Sequence, residues 1–229
     1  LKARGLWEWG FVIGSAVATI VQGAAIGTMI QGLPIQGTTY VGNGWDWLAP
    51  FPVLCGIGLM IGYGMLGAGW LILKTEGVVA KRARAQLRGL SIAFCVFVLV
   101  AFLVTQDIDL PVRQAWESSP LWHWIVPALG FVGLLGAFRT TRHDCQHERA
   151  PFAWCMLMMA SAFGSLALSF WPYMMPYSLT IEQAAAPAVS LQFMFWGAIV
   201  MFPLVVFYFL RVYHMFSGKT DPVGYGTHD

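Results

Sequence analysis

The sequence predicts an all-α fold: a polytopic membrane helix bundle with about six transmembrane helices. Three observations carry that expectation. First, 58% of the 229 residues are apolar and only 10% are charged, against about 25% in an ordinary soluble domain. Second, Asp, Glu, Lys and Arg are missing from six intervals: 9–45, 47–73, 89–106, 118–138, 150–181 and 183–210. Each interval holds one segment of about 20 apolar residues, the length that crosses the hydrocarbon core. Third, the basic residues alternate between successive loops in the manner an even helix count requires.

In chain order the helices are expected at roughly 8–31, 49–73, 86–106, 121–139, 151–171 and 190–214. The first runs from Glu8 to Gln31, just before Gly32 and Pro34, and the second from the Pro50-Phe51 entry to the charge of Lys74. The third interval is the shortest, yet its nine residues from Ile92 to Val100 are uninterrupted by any polar side chain. Pro127 and Pro203 fall within the fourth and sixth segments, where proline suggests kinks. The fifth closes at Trp171-Pro172.

Lys2 and Arg4 precede the first helix. The second loop carries Lys74, Lys81, Arg82, Arg84 and Arg88, the fourth carries Arg139, Arg142 and Arg149, and the tail carries Arg211 and Lys219. Only Arg113 lies on the other side. The positive-inside rule makes the basic side cytoplasmic, with both termini of this chain there. The expected location is a bacterial inner membrane. Trp7, Trp9, Trp45, Trp47, Trp70, Trp122, Trp124, Trp154 and Trp171 stand near helix ends, where an indole stays half wet. The chain opens on Leu1 with no signal-peptide pattern, and is expected to be a piece whose N-terminal part is missing. Cys55, Cys95, Cys145 and Cys155 form no C-x-x-C pair.

Gly62-Tyr63-Gly64-Met65-Leu66-Gly67 has the G-x-G-x-x-G spacing of a dinucleotide turn. That turn works only between a strand and a helix, and these glycines lie inside a continuous apolar run. A filter of the ion-channel kind needs irregular backbone along a water-filled cavity, and the run passes straight on to Lys74. Close helix packing explains the glycines better. Gly58-x-x-x-Gly62 is a small-xxx-small pattern, and Gly56, Gly64, Gly67 and Gly69 add further low points on the helix surface. Gly58, Gly62, Gly64, Gly67 and Gly69 are therefore expected to serve helix packing.

No catalytic or metal site is expected. An ionisable group at mid-helix costs about 2.5–3.5 kcal/mol on insertion scales and is retained for function. All eleven carboxylates lie in loops, tails or helix ends. His123 and His214, each a conceivable haem ligand, fall at opposite ends of their helices and cannot share one haem. His143, Cys145 and His147 in "RHDCQHER" mimic a metal site without a fourth ligand nearby. The polar residues within the helices are few: Ser15, Thr19, Gln22, Thr28, Gln31, Ser91, Ser161, Ser165 and Gln192. The residues alone describe a partner subunit or a passive pathway, with a small inner-membrane transporter or channel subunit as the alternative. A transporter usually shows internal repeats around a polar midplane site, and no convincing repeat is present. Nucleic acid is not an expected partner.

Longer stretches carry a resemblance. "LWEWGFVIGSAVATIVQGAAIGTMIQGLPI" (Leu6–Ile35), with its Gln31-Gly32-Leu33-Pro34 end, resembles a middle helix of subunit II of cytochrome bd-type quinol oxidases. "NGWDWLAPFPVLCGIGLMIGYGMLGAGWLILKTEG" is similar to the next helix, and Arg84-Ala85-Gln86 to the start of the third. "PYMMPYSLTIEQAAAPAVSLQFM" resembles the family's late outer loop, and "FYFLRVYHMFSGK" its basic, aromatic end. The likeness runs over nearly the whole chain in the family's order. The Met- and Trp-rich character points to the cyanide-insensitive branch. The main departure is the family's further N-terminal portion, which carries its first helices and most of its intramembrane acidic residues.

The resemblance implies a heterodimer with subunit I, which holds two b-type haems and haem d. The complex oxidises quinol and reduces oxygen to water. Subunit II holds no haem itself, and a structural quinone among its helices is possible. It further implies that residues 1–31 end in the last helix of a first bundle, 49–171 form a four-helix bundle, and 190–217 form a peripheral helix.

Overall fold

The computed structural model describes residues 2–36, 39–108, 116–117, 121–142, 149–175, 178–216 and 218–219. Six long helices dominate: α1 (Lys2–Gln31), α2 (Pro50–Lys74), α3 (Gly77–Ile108), α4 (Ile125–Arg142), α5 (Ala150–Phe170) and α6 (Ala188–Met215). Five of them are long and apolar enough to cross a membrane. The exception, α4, has 18 residues and is prolonged by the 3-10 turn Leu121–Trp124. The fold is an all-α membrane bundle.

Local chemistry accounts for most helix ends. Pro50 opens α2 and Pro151 stands in the first turn of α5, where a missing N–H leaves no hydrogen bond unmade. Pro127 also falls in the first turn, that of α4, so it ends no helical ladder. Pro203 is inside α6, and the helix runs unbroken through it. Lys74 sits in the last turn of α2, the favourable place for a cation beside the helix dipole. Gly77 then takes φ +62°, a conformation that favours glycine, and α3 starts at once.

Helix α3 begins nine residues before the hydropathy pattern places it. Residues 77–88 are rich in Ala and Arg, good helix formers, and Ala83 and Leu87 are buried against the bundle. Hydropathy marks what lies in lipid, and helicity here outruns it. Two short antiparallel hairpins sit at the opposite end from the basic loops. One pairs Ile35 with Tyr40 and Gln36 with Thr39; the other pairs Tyr173 with Thr180 and Met175 with Leu179. Thr180 then starts a one-turn helix, Ile181–Ala184, through a reciprocal capping box with Gln183.

Helices α2, α3, α4 and α5 close a ring, each packing on two neighbours, and α1 lies along the outside of α2. Glycines set the spacing. A Cβ on Gly23 of α1 would stand 2.6 Å from Gly56 Cα, and one on Gly27 2.6 Å from Pro52 Cα. The largest core cluster, including Met65, Ile72, Leu87, Phe94 and Met158, fills the half of the ring nearer the basic loops. Ile30, Phe51 and Cys55 form a smaller cluster between α1 and α2 toward the neutral end.

Helix α6 buries no residue. It is tied to α2 at the basic end, where the Tyr213 and Trp70 rings meet edge to face at 6.2 Å. There Lys74 Nζ donates to the carbonyls of Phe216 and Gly218, and Lys219 pairs with Glu76 at 2.8 Å.

Candidate functional site

The neutral half of the ring holds a partly open cavity. This cavity of about 500 Å³ lies among α1, α2, α3, α4 and α5. Its existence follows from the side-chain distribution. Where Met65, Ile72 and Leu87 fill the basic half, small residues such as Gly23, Ala101, Ala128, Gly130 and Ala162 are among those lining the neutral half. Phe102, Trp116 and Trp124 form an aromatic corner, with Phe102 to Trp116 at 5.8 Å and Trp116 to Trp124 at 5.1 Å.

The hydroxyls on this wall and the Trp116 indole are already engaged. Ser161, Ser165 and Ser169 follow one another at helical i, i+4 spacing on α5 and all line the cavity. Ser161 Oγ donates to the Val126 carbonyl on α4 at 2.6 Å. Ser165 and Ser169 donate back to the carbonyls of Ser161 and Ser165 at 2.9 and 2.8 Å. Thr105 donates to the Ala101 carbonyl at 2.6 Å, and Trp116 Nε1 donates to Ser169 Oγ at 2.9 Å. A hydroxyl has one proton to give, and each here has given it. The cavity therefore offers apolar contact and accepting oxygens, with no spare donor among these groups. Among the described residues no three of His, Cys, Asp and Glu come together as a metal site.

The five glycines singled out in the sequence occupy different settings. A Cβ on Gly58 would stand 2.1 Å from Phe97 Cζ, and one on Gly62 2.7 Å from Met159 Cε. At Gly69 it would stand 3.2 Å from Phe152 Cα, and at Gly64 3.7 Å from Leu90. At Gly67 it would meet nothing within 4 Å. The sequence reading passed over Gly23 and Gly27, although Gly23-x-x-x-Gly27 is a small-xxx-small pattern in plain view. It also passed over Gly130, Gly133 and Gly136, which bring α4 onto Ser161, Met158 and Trp154 of α5. Ser169 escaped as well, though it continues the Ser161–Ser165 spacing.

His123 lies in the 3-10 turn before α4, its ring 6.5 Å from that of Trp116. His214 is exposed near the end of α6 at the other end of the molecule. His143, Cys145 and His147 lie outside the described residues. Gln22 Oε1 accepts from Tyr63 Oη at 3.2 Å across the α1–α2 seam, while Ser15, Thr19 and Thr28 donate to carbonyls of their own helix. Arg88 donates through Nη2 to the Thr141 carbonyl and through Nε to Thr141 Oγ1 at 3.2 Å, capping the end of α4 from α3.

Comparison with known proteins fits this architecture. The family described as cytochrome bd terminal oxidase subunit II matches residues 1–216. The chain is 29% identical, over 94% of its length, to cytochrome bd-I ubiquinol oxidase subunit 2 of Escherichia coli. It is 30% identical, over 95% of its length, to the probable cytochrome oxidase subunit 2 of Haemophilus influenzae. It spans 66% of the length of each of these relatives. With the family pattern matched from Leu1 to Phe216 on a bundle of six long helices, the chain belongs to the cytochrome bd terminal oxidase subunit II family.

Proposed function

We propose that this chain is the non-haem subunit II of a bd-type quinol oxidase, pairing with subunit I and supplying no catalytic residue itself. On this reading subunit I holds haem b and haem d, and the complex oxidises quinol and reduces oxygen to water in a bacterial inner membrane. Residues 1–31 then contribute the last helix of a first bundle, α2 to α5 are a second bundle, and α6 is peripheral. The observation that carries this assignment is the family match over residues 1–216. The chemistry of the cavity supports it: the wall is apolar, its hydroxyl protons are spent on backbone carbonyls and its one assigned indole N–H on Ser169. Such a wall suits a hydrocarbon chain, including the isoprenoid tail of a structural quinone. A quinone ring accepts hydrogen bonds at its carbonyls, so its donors would come from elsewhere.

The test is a reduced-minus-oxidised visible spectrum of the tagged full-length parent purified from native membranes, with the co-purifying chains identified. Haem b and haem d bands that leave with a second chain are the expected result. A colourless single-chain preparation would overturn the assignment.

A further inference from the structure

One exposed stripe runs the length of α3. Val78, Lys81, Arg82, Ala85, Gly89, Ile92, Val96 and Leu103 are all exposed and, at 3.6 residues per turn, fall within an arc of about 100° on one face of the helix. The part beyond Gly89 is purely apolar, with Ile92, Val96 and Leu103 at 47%, 53% and 56% exposure. In a membrane helix that face meets acyl chains or another helix.

The depth of the two cations can be read from the helix register. Gly64 of α2 faces Leu90 of α3. Six residues further along α2 stands Trp70, with Lys74 Nζ 5.3 Å from its ring centre, an aromatic and cation pairing typical of the membrane boundary. Six residues back from Leu90 on the antiparallel α3 stands Arg84. Lys81 and Arg82 therefore lie about 3–5 Å beyond the Trp70 level, within a headgroup layer some 5–7 Å deep. Neither has a partner among the described residues. Arg88, deeper on α3, is spent on Thr141. Between the cations and the apolar run, Ala85 and Gly89 leave a shallow dip, and a Cβ on Gly89 would meet nothing within 4 Å.

We propose that this stripe seats an anionic phospholipid lengthwise, its phosphate held by Lys81 and Arg82 and its acyl chains on Ile92 and Val96. The occupant follows from charge and depth together. Two cations with no partner among the described residues stand at phosphate level, directly in line with lipid-facing hydrocarbon, and the dip beside them has room for a glycerol backbone. A cation near the membrane surface favours an anionic lipid by about fivefold, so the pair favours it by about 30-fold.

The experiment uses the full-length parent, purified with its native partners, delipidated and placed in nanodiscs of equal parts phosphatidylethanolamine and phosphatidylglycerol. Mass spectrometry then counts the lipids that stay bound on release. Replacing Lys81→Gln together with Arg82→Gln is expected to lower the preference for phosphatidylglycerol by about 30-fold. Arg139→Gln, an exposed cation at the same end on α4, is expected to leave it unchanged. Gly89→Leu, which fills the dip while keeping both charges, is expected to release the bound phosphatidylglycerol. An unchanged preference in the double variant overturns the proposal, as does an equal loss in Arg139→Gln. A photoreactive residue at position 96 that captures a polypeptide rather than lipid also overturns it, because a partner helix then covers the stripe. If the double variant fails to assemble, the wild type is titrated with salt, and a preference that salt does not weaken is equally fatal.

Discussion

The α1–α2 seam gives the sharpest prediction, because two backbones there touch with nothing between them. A Cβ added at Gly23 would stand 2.6 Å from Gly56 Cα and 2.7 Å from the Cys55 carbonyl oxygen. Ordinary contact begins at 3.4 Å, so the helices would have to part by about 0.8 Å. No side chain can yield, since both obstacles are backbone. Overpacking of this kind costs about 1–3 kcal/mol. The gain in helix propensity from Gly to Ala returns at most about 1 kcal/mol. Gly23→Ala is therefore expected to destabilise by about 1–2 kcal/mol, and Gly56→Ala, whose Cβ would meet the Ile20 carbonyl oxygen at 2.6 Å, by a similar amount. Combined, the two should cost less than their sum, because helices already parted by one methyl admit the second.

The assay is equilibrium unfolding of the purified full-length parent in mixed micelles, followed by far-ultraviolet circular dichroism. Gly67→Ala is the control, since a Cβ there meets nothing within 4 Å. It is expected to be neutral or slightly stabilising. If Gly23→Ala is tolerated as well as Gly67→Ala, the close approach of the two helices is not what fixes α1, and the reasoning fails.

Three further outcomes follow from the same geometry. Arg88→Leu should cost about 1.5–3 kcal/mol by stripping a charged donor from the Thr141 carbonyl, and Thr141→Val distinctly less, because that carbonyl bond survives; unfolding in mixed micelles measures both. The Lys219 hydrogen bond, and then its charge, hold the Glu76 carboxyl below its ordinary value. The stability from that pair is present above the ordinary Glu range and is lost as pH falls through the lowered folded value. Trp70 fluorescence, sensitive to the Tyr213 contact, should report the release on acidification, and Glu76→Gln should abolish that acid step. Ala162→Phe, pointing bulk into the cavity, should lower the uptake of an apolar fluorescent probe by the parent while helix content stays constant; uptake equal to wild type would place the probe elsewhere.

The helices were legible in the sequence because lipid imposes one rule on all of them: a charge-free run of the right length. That rule located the cores of α1 to α6 and failed at the ends, where other forces act. The first turns of α3 lie beyond the apolar run and are held by Ala83 and Leu87 packing inward. The sequence marks glycine by type, but hydropathy carries no information about which neighbour each glycine meets. Gly67 and Gly69 look alike in sequence, yet one meets open space and the other lies against Phe152. The cavity left even less trace. It arises from several small residues on different helices falling at one level, a coincidence of register that no single segment displays.

The same register explains why the bundle is solid at one end and holds a partly open cavity at the other. Apolar side chains cost little in lipid whether or not they touch one another, so burial alone does not force a membrane bundle to fill its centre. What must be satisfied is the polar inventory, because hydrocarbon offers it no alternative partner. In the half with the cavity Ser161 bridges to the Val126 carbonyl, and Ser165 and Ser169 turn back onto their own helix. With every one of those protons placed, the wall tolerates a space of about 500 Å³ at the cost of lost dispersion contacts only. A hydroxyl left facing that space would instead have required water or a donor-hungry ligand. The serine spacing on α5 is thus what leaves this wall without a free hydroxyl proton.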